Sequence, residues 1–447
     1  MPGQPHLAPV LRLSADGGGR TGETRLAGAT GARTGHEHAG HEHPGHHHEE
    51  AATDWPGTAG ARRGEPLLGP TGRGPGTGQL VAVPRLARHE IVLDDSHRVG
   101  VSVCGQGVPV VLVHGFTAEG ILYAQTLSRL VGMGFKVIAI DVAGHGSTHG
   151  LPTGGHRLDA YAALLGRALD ELGVRRAVLA GHSMGGRLVT ELAAENPDRA
   201  IAVVLIDAAV GECWDRLVST ARVAPPLLGG VAALLVLDSL ATLPWVRDRR
   251  QAAKLGRLAL PTMLGNLRRP WRMLGPAVSL IRSPGTTEML ESLRDAGTPV
   301  VVIHGDRDLA VPYATAVDAA RRSGGTLVTI KGGSHSWVLK DPEVLPAVVA
   351  ELLDGPLARV RAAVLGAAGL SPGATAEQLE SAFLGPHAWV RRLTPPLEQR
   401  LGPQQHRRPR FRWTVSQPGR SDAGRRAAEA GPDRQPGALP DAGAVAG

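Results

Sequence analysis

The pentapeptide 181–185 has the sequence Gly-His-Ser-Met-Gly, which places a serine between two glycines. The pattern Gly-x-Ser-x-Gly is typical of a nucleophile on a sharp turn between a strand and a helix. The apolar run Ala177–Ala180 precedes it, and the helical pattern Met184–Glu195 follows it and ends just before Pro197. The sequence therefore predicts a nucleophile, Ser183, at the positive end of a helix, on a turn formed with Gly181, His182 and Gly185.

A serine nucleophile needs a base, and the base needs an acid that orients it. The apolar run Pro299–Ile303 leads into the acidic loop 304–308, and the run Thr326–Ile330 leads into a glycine-rich loop that ends at His335. Open α/β sheets place their sites at the carboxyl ends of the strands, where both loops are expected. We predict that His335 is the base and that its acid is one of three aspartates, Asp207, Asp306 and Asp308.

The oxyanion formed during acyl transfer requires two N–H donors that are held in place beforehand. One donor is expected from the residue after the nucleophile, which is the backbone N–H of Met184. The second is expected from the loop that follows the apolar run Val108–Val113, where the backbone N–H of Phe116 is the candidate. The alternative is that His114 and Gly115 in this loop form an ordinary tight turn.

Short apolar runs alternate with helical patterns through the middle of the chain, which is typical of a mostly parallel sheet covered by helices. The segment Ala87–Cys104 alternates around a polar turn and predicts a β-hairpin at the start of the sheet. About 90 residues separate the runs Ile201–Ile206 and Pro299–Ile303, far more than a usual connection. This interval, which is helical and apolar in character, predicts a small inserted domain.

The two ends of the chain are rich in Gly, Pro, Arg, Ala and His and contain few large apolar residues. Such segments cannot bury enough apolar surface to offset the entropy of ordering the backbone. We therefore predict disordered tails at 1–85 and 399–447, around a catalytic domain at 86–355. A helical extension is expected at 356–398, where a capping-box pattern from Thr375 to Gln378 opens the second helix.

Together with the segment Asp141–Ser147, these motifs resemble those of the α/β-hydrolase superfamily, in the serine-nucleophile branch with a cap domain. The resemblance covers about residues 88–352. It implies an α/β-hydrolase fold, with a mostly parallel central sheet, helices on both faces and a helical lid at about 208–297. It also implies that Asp308, three residues after the turn glycine Gly305, is the acid of the triad. Asp306 is then expected to be a turn-former.

The resemblance implies a serine hydrolase that cleaves a carboxylic ester or related acyl substrate through an acyl-enzyme, with no cofactor and no metal ion. The same site could serve carbon–carbon bond hydrolysis, cofactor-free perhydrolysis or acyl transfer, because the fold alone does not decide the reaction. The alternative to an enzyme is a non-catalytic binding protein with the same fold. The leucines of 227–243 predict an apolar wall for the acyl chain; the alternative is that they form the core of the lid itself.

The remaining features suggest no further site. Histidines at 145, 149, 156 and 182 are expected in structural turns, and the seven histidines of 36–50 lack the ordered frame of a specific metal site. The net charge of +7 and the basic cluster His406–Arg412 come without a nucleic-acid-binding motif, so we expect no nucleic-acid partner. The sequence has two cysteines, no signal peptide in Met1–Arg20 and no apolar run of roughly 18 residues. These features predict a cytoplasmic protein with no transmembrane segment.

Overall fold

The computed structural model describes residues 80–83, 86–151, 157–224, 226, 230, 249–394, 398–401 and 408–418. Its strands are β1 Leu80–Val83, β2 Ala87–Val92, β3 Arg98–Cys104, β4 Val108–Val113, β5 Phe135–Ile140, β6 Ala177–His182, β7 Ala200–Ile206, β8 Val300–Gly305, β9 Thr326–Lys331, β10 Glu398–Leu401 and β11 Arg412–Ser416. The histidine-rich run 36–50, His156 and the leucines of 227–243 lie outside the described residues.

The helices are α1 Ala124–Gly132, α2 Leu158–Leu172, α3 Met184–Glu195, α4 Glu212–Val223, α5 Arg249–Arg268, α6 Leu274–Arg282, α7 Thr287–Asp295, α8 Tyr313–Ser323, α9 Trp337–Lys340, α10 Val344–Asp354, α11 Ala358–Ala367, α12 Ala376–Phe383 and α13 Val390–Leu393. Helices α4–α7 lie between β7 and β8, and we call residues 208–297 the helical insert. Among the described helices, none has the length and apolar character needed to cross a membrane.

One sheet holds nine of the described strands, in the order β11-β9-β8-β7-β6-β4-β5-β3-β2. Strands β4 to β9 pair in parallel with one another, whereas β2, β3 and β11 pair antiparallel at the two sides. The hairpin predicted over Ala87–Cys104 is the antiparallel pair β2 and β3. The predicted α/β-hydrolase fold, with its mostly parallel sheet between helices, is thus confirmed.

Apolar side chains cover both faces of the sheet, because successive residues of a strand point to opposite sides. In β4, Val111 and Val113 belong to a core cluster with α2, α3 and α8, whereas Val110 and Leu112 belong to a second cluster with α1, α10 and α12. All six residues of β5 are buried, as are all six of β8. This two-sided burial explains why the central strands are nearly continuous apolar runs.

The C-terminal region departs from the predicted tail at 399–447. Strand β11 pairs antiparallel with β9, from Arg412 opposite Lys331 to Ser416 opposite Leu327. Trp413 and Val415 alternate with polar residues and pack against the second core cluster. Likewise β1, within the predicted tail 1–85, pairs with β10. Each predicted tail contains a short strand that gains a hydrogen-bonded partner only in the folded chain, and the averaged composition of the tail does not show it.

The helical extension packs into the same core as the sheet. Leu379 and Phe383 of α12 are buried, and the predicted capping box is present, with Thr375 Oγ1 accepting from the N–H of Gln378 at 3.2 Å. Nζ of the buried Lys136 in β5 lies 2.9 Å from Oε1 of Glu380 in α12. A buried charge pair of this kind connects the extension to the centre of the fold.

Candidate active site

Ser183 lies between β6 and α3 on a backbone conformation that non-glycine residues rarely adopt, with φ 53° and ψ −119°. Such a conformation costs on the order of 1–3 kcal/mol and persists only where the surroundings enforce it. The N–H of Ser183 donates to the carbonyl of Ile206 at 2.9 Å, and its carbonyl accepts from the N–H of Gly186 at 3.0 Å. The turn predicted from the pentapeptide is therefore held by both neighbouring segments.

The glycines near Ser183 allow an unusually close approach of three chain segments. A Cβ added at Gly185 would lie 2.1 Å from the carbonyl oxygen of Val113 at the end of β4. A Cβ added at Gly115 would lie 3.1 Å from Cβ of Ser183 and 2.9 Å from Nδ1 of His182. The loop after β4, which carries Phe116, thus packs directly against the turn that carries the serine.

His335 and Asp308 meet at the carboxyl ends of β9 and β8. Nδ1 of His335 lies 2.7 Å from Oδ2 of Asp308, and both residues are almost fully buried. Oδ1 of Asp308 accepts from the N–H groups of Ala310 and Val311, each at 2.8 Å. Burial raises the pKa of Asp308, but the opposing charge of His335 and these hydrogen bonds outweigh it, so the pKa is lowered. The carboxylate is therefore ionised at neutral pH.

His182 connects the serine turn to the His335 loop. Its Nε2 lies 2.9 Å from the carbonyl oxygen of His335, which can only accept, so Nε2 carries the proton and donates it. Nδ1 then accepts from the hydroxyl of Tyr123 at 2.9 Å. Burial lowers the pKa of His182 to about 3, which keeps the ring neutral as this arrangement requires. The role expected for His182, a structural turn residue, agrees with these contacts.

The other two candidate acids make different contacts. Oδ1 of Asp306 accepts from the N–H of Gly332 at 2.6 Å, as expected of a turn-former. Asp207 follows β7 with φ 44°, and its Oδ1 accepts from the N–H of Gly305 at 2.9 Å. Of the three aspartates, Asp308 forms the hydrogen bond to Nδ1 of His335.

One group of potential metal ligands occurs among the described residues, formed by Asp207, His304 and Asp308, whose ligand atoms lie within 4.8 Å of one another. All three are buried. Nε2 of His304 lies 2.9 Å from the carbonyl of Val311, to which it donates, and both aspartates already accept backbone hydrogen bonds. These hydrogen bonds engage Nε2 of His304 and one carboxylate oxygen of each aspartate.

The helical insert contacts the loops around this site. Nδ2 of Asn266 in α5 donates to the carbonyl of Thr117 at 2.8 Å, one residue after Phe116. The guanidinium of Arg272 donates to the carbonyl of Thr148 at 2.7 Å. The sequence alone assigned no role to either residue, nor to Tyr123, because their partners are distant in the chain. His304 was also assigned no role, although it is the first residue of the predicted acidic loop 304–308.

The strand order, the strained serine turn and the buried Asp308–His335 pair define the class, an α/β-hydrolase. The model of the alpha/beta hydrolase family matches residues 110–348, which is more than half of the chain, and the chain belongs to that family.

Two relatives with similar sequences agree with this class. A candidate non-heme haloperoxidase of Mycobacterium phage D29 is 37% identical over 275 residues, covering 60% of this chain and 96% of the phage protein. A non-heme chloroperoxidase of Burkholderia pyrrocinia is 30% identical over 259 residues, covering 54% and 89%. A solved thermophilic esterase from Thermogutta terrifontis aligns with a TM-score of 0.47 and 22% identity, over 61% of this chain and 99% of that one. The family and the two relatives identify the chain as an enzyme of the hydrolase type.

Proposed function

We propose that this enzyme is a serine hydrolase that cleaves a carboxylic ester or a related acyl substrate through an acyl-enzyme. The 2.7 Å hydrogen bond between His335 and Asp308 carries the proposal, because it gives a histidine beside a serine turn the buried acid that a base requires. The hydrogen bond from His182 to the carbonyl of His335 supports it further by joining the two loops.

In the proposed reaction, Nε2 of His335 takes the hydroxyl proton of Ser183 as the oxygen attacks the acyl carbon. Asp308 stabilises the imidazolium that forms, and the N–H groups of Phe116 and Met184 stabilise the oxyanion. His335 then gives the proton to the leaving alcohol. Water, deprotonated by the same histidine, hydrolyses the acyl-enzyme.

We further propose that residues 86–355 form the catalytic domain and that the helical insert is its lid, which covers a pocket for a small acyl substrate. Two observations support the lid: Asn266 contacts the loop of Phe116, and the side chains of the proposed triad are almost fully buried. A cytoplasmic location rests on the sparse cysteines of the sequence.

The replacement Ser183→Ala tests the nucleophile. We expect hydrolysis of p-nitrophenyl butyrate to fall by roughly 10⁴-fold or more while thermal unfolding is unchanged, because the triad acts as a unit. Ser323→Ala is the matched control, since that buried serine donates to the carbonyls of Ala319 and Ala320 within its own helix, α8. A fluorophosphonate probe should label the native chain at Ser183. Activity retained by Ser183→Ala, or labelling elsewhere, would contradict the proposal, and native protein inert to probe and substrate would favour a binding protein.

A second candidate function is perhydrolysis, which the two haloperoxidase-named relatives favour. Hydrogen peroxide would replace water and attack the acyl-enzyme, releasing a peracid and regenerating the Ser183 hydroxyl. We expect acetate, peroxide and bromide to brominate monochlorodimedone at a rate that Ser183→Ala abolishes. If bromination is absent while esters are hydrolysed, this candidate fails and the hydrolase proposal stands.

A further inference from the structure

The segment 249–286 of the helical insert has an unusual combination of charge and apolar surface. It contains eight Lys or Arg residues and no Asp or Glu. Several of its large apolar side chains are also exposed, among them Leu267 at 77% and Trp271 at 62%. Large apolar side chains grouped on a surface usually mark a contact site.

Helix α5 has a buried inner face and an exposed apolar stripe. Its inner face is formed by Leu255 and Thr262, which are buried, and by Leu258 and Ala259, which pack against the core. The exposed apolar residues recur at spacings of three and four and so share one stripe, roughly 130° around the axis from the inner face. The members of this outer stripe are Leu260, Met263, Leu264 and Leu267.

The outer stripe continues beyond the helix and is bordered by cations. Trp271 and Leu274 are exposed directly after α5. Arg257, Arg268 and Arg269 are also exposed and belong to the same segment. Helices that lie in a membrane interface combine a leucine- and tryptophan-bearing face with flanking Lys and Arg.

We propose that the outer stripe of α5, with Trp271 and the flanking arginines, binds the surface of an anionic lipid bilayer. The apolar side chains enter the boundary between head groups and acyl chains, and the arginines pair with lipid phosphates. The inner face of α5 stays on the protein, where Asn266 contacts the loop after β4. Such a helix lies on the membrane without crossing it.

The charge of the segment distinguishes this partner from two others. A second copy of the chain, docked by two-fold symmetry, would place this basic patch against itself, and like charges oppose that contact. A nucleic acid would pair with the arginines but would leave the leucines in water. An anionic bilayer satisfies both the charged and the apolar parts of the surface.

Vesicle co-sedimentation of the full chain tests the proposal. We expect binding to phosphatidylglycerol vesicles, weaker binding to phosphatidylcholine vesicles, and weakening by added NaCl. The double variant Leu267→Asp with Trp271→Asp should lose at least tenfold in affinity, because burial of even one such side chain contributes about that much. Arg268→Glu with Arg269→Glu should lose at least about 25-fold, since each arginine near an anionic surface contributes about fivefold and each new carboxylate is repelled by that surface.

Matched replacements outside the insert serve as controls. Val317→Asp changes an exposed apolar residue of α8, and Arg359→Glu with Arg392→Glu reverses two exposed arginines in α11 and α13. These variants should bind vesicles as the native chain does, and thermal melting verifies that every variant is folded. Equal binding by the Leu267 and Trp271 variant, or no binding by the native chain, would overturn the proposal. So would a lipid-free dimer that this variant dissociates, because the stripe would then be a contact between copies.

Discussion

Replacing Asp308 by Asn changes which atoms of the site carry protons while almost preserving its shape. The N–H groups of Ala310 and Val311 can only donate, so the oxygen of the new amide must remain opposite them, as Oδ1 is now. The amide nitrogen then occupies the position of Oδ2, 2.7 Å from Nδ1 of His335. Because this nitrogen also only donates, Nδ1 must accept and the imidazole proton moves to Nε2.

This shift blocks the proposed reaction. A protonated Nε2 cannot take the hydroxyl proton of Ser183, and the charge that stabilised the imidazolium is also lost. The analogous replacement in a Ser-His-Asp protease lowers kcat about 10⁴-fold, which corresponds to about 5 kcal/mol of activation free energy. We expect a loss of the same order here.

The assay is kcat for p-nitrophenyl butyrate at neutral pH, with thermal melting to verify the fold of each variant. Asp306→Asn and Asp207→Asn are the matched controls, since an amide oxygen at either position can still accept from the N–H of Gly332 or Gly305. Both should lose little activity. If Asp207→Asn is the severe variant and Asp308→Asn retains most of its kcat, the reasoning from the 2.7 Å contact is wrong and Asp207 orients the base.

Three further outcomes follow from the structure. Glu380→Gln should lower the free energy of unfolding by about 3 kcal/mol in urea titrations, because it leaves the buried ammonium of Lys136 without its carboxylate, whereas Asp159→Asn at an exposed pair should have little effect. Acidification from about pH 7 to 5 should lower the free energy of unfolding by several kcal/mol, since burial lowers the folded-state pKa to about 4, 3 and 3 in His114, His145 and His182. Deletion of residues 1–79 should leave kcat and KM within a few-fold, because no proposed catalytic residue lies there and β1 begins only at Leu80.

A specific result would contradict each of these three expectations. Equal losses in Glu380→Gln and Asp159→Asn would mean that the buried pair contributes no more than an exposed one. The sign of the pH effect follows because the unfolded histidines, with pKa near 6.5, take up protons before the folded ones, so stability must decline as the pH falls below about 6.5. Unchanged stability at pH 5 would contradict the lowered pKa values. A loss of kcat in a folded chain lacking 1–79 would show that this segment reaches the site.

The centre of the fold was predictable because its signals are local. Buried parallel strands must be apolar on both faces, and the turn at Ser183 needs glycines on either side, so both features leave short patterns in the sequence. The loops bearing Asp308 and His335 followed from their positions after predicted strands. Choosing Asp308 over Asp207 required the family resemblance, since both aspartates follow strands and spacing alone does not give the hydrogen bond at His335.

The features that sequence reasoning missed depend on contacts between distant segments. Strand β11 looks like part of a polar tail until the edge of β9 is available to pair with it. Lys136 reads as an ordinary strand residue, although its ammonium lies in the core beside Glu380, 244 positions later in the chain. Likewise, Asn266 shows its role only when α5 lies over the loop of Thr117. No short pattern encodes such partners.

The pairing of β11 with β9 also determines how the protein can be shortened. Without β11, the backbone groups of Thr326–Lys331 along one side would face solvent, and exposed strand edges of this kind recruit strands from other molecules. A chain cut at residue 348, where the family match ends, would also remove α11 and α12 and uncover apolar core surface. We expect such a fragment to aggregate even though it keeps every residue of the proposed triad. The shortest soluble chain is therefore longer than the shortest chain that contains the proposed catalytic residues.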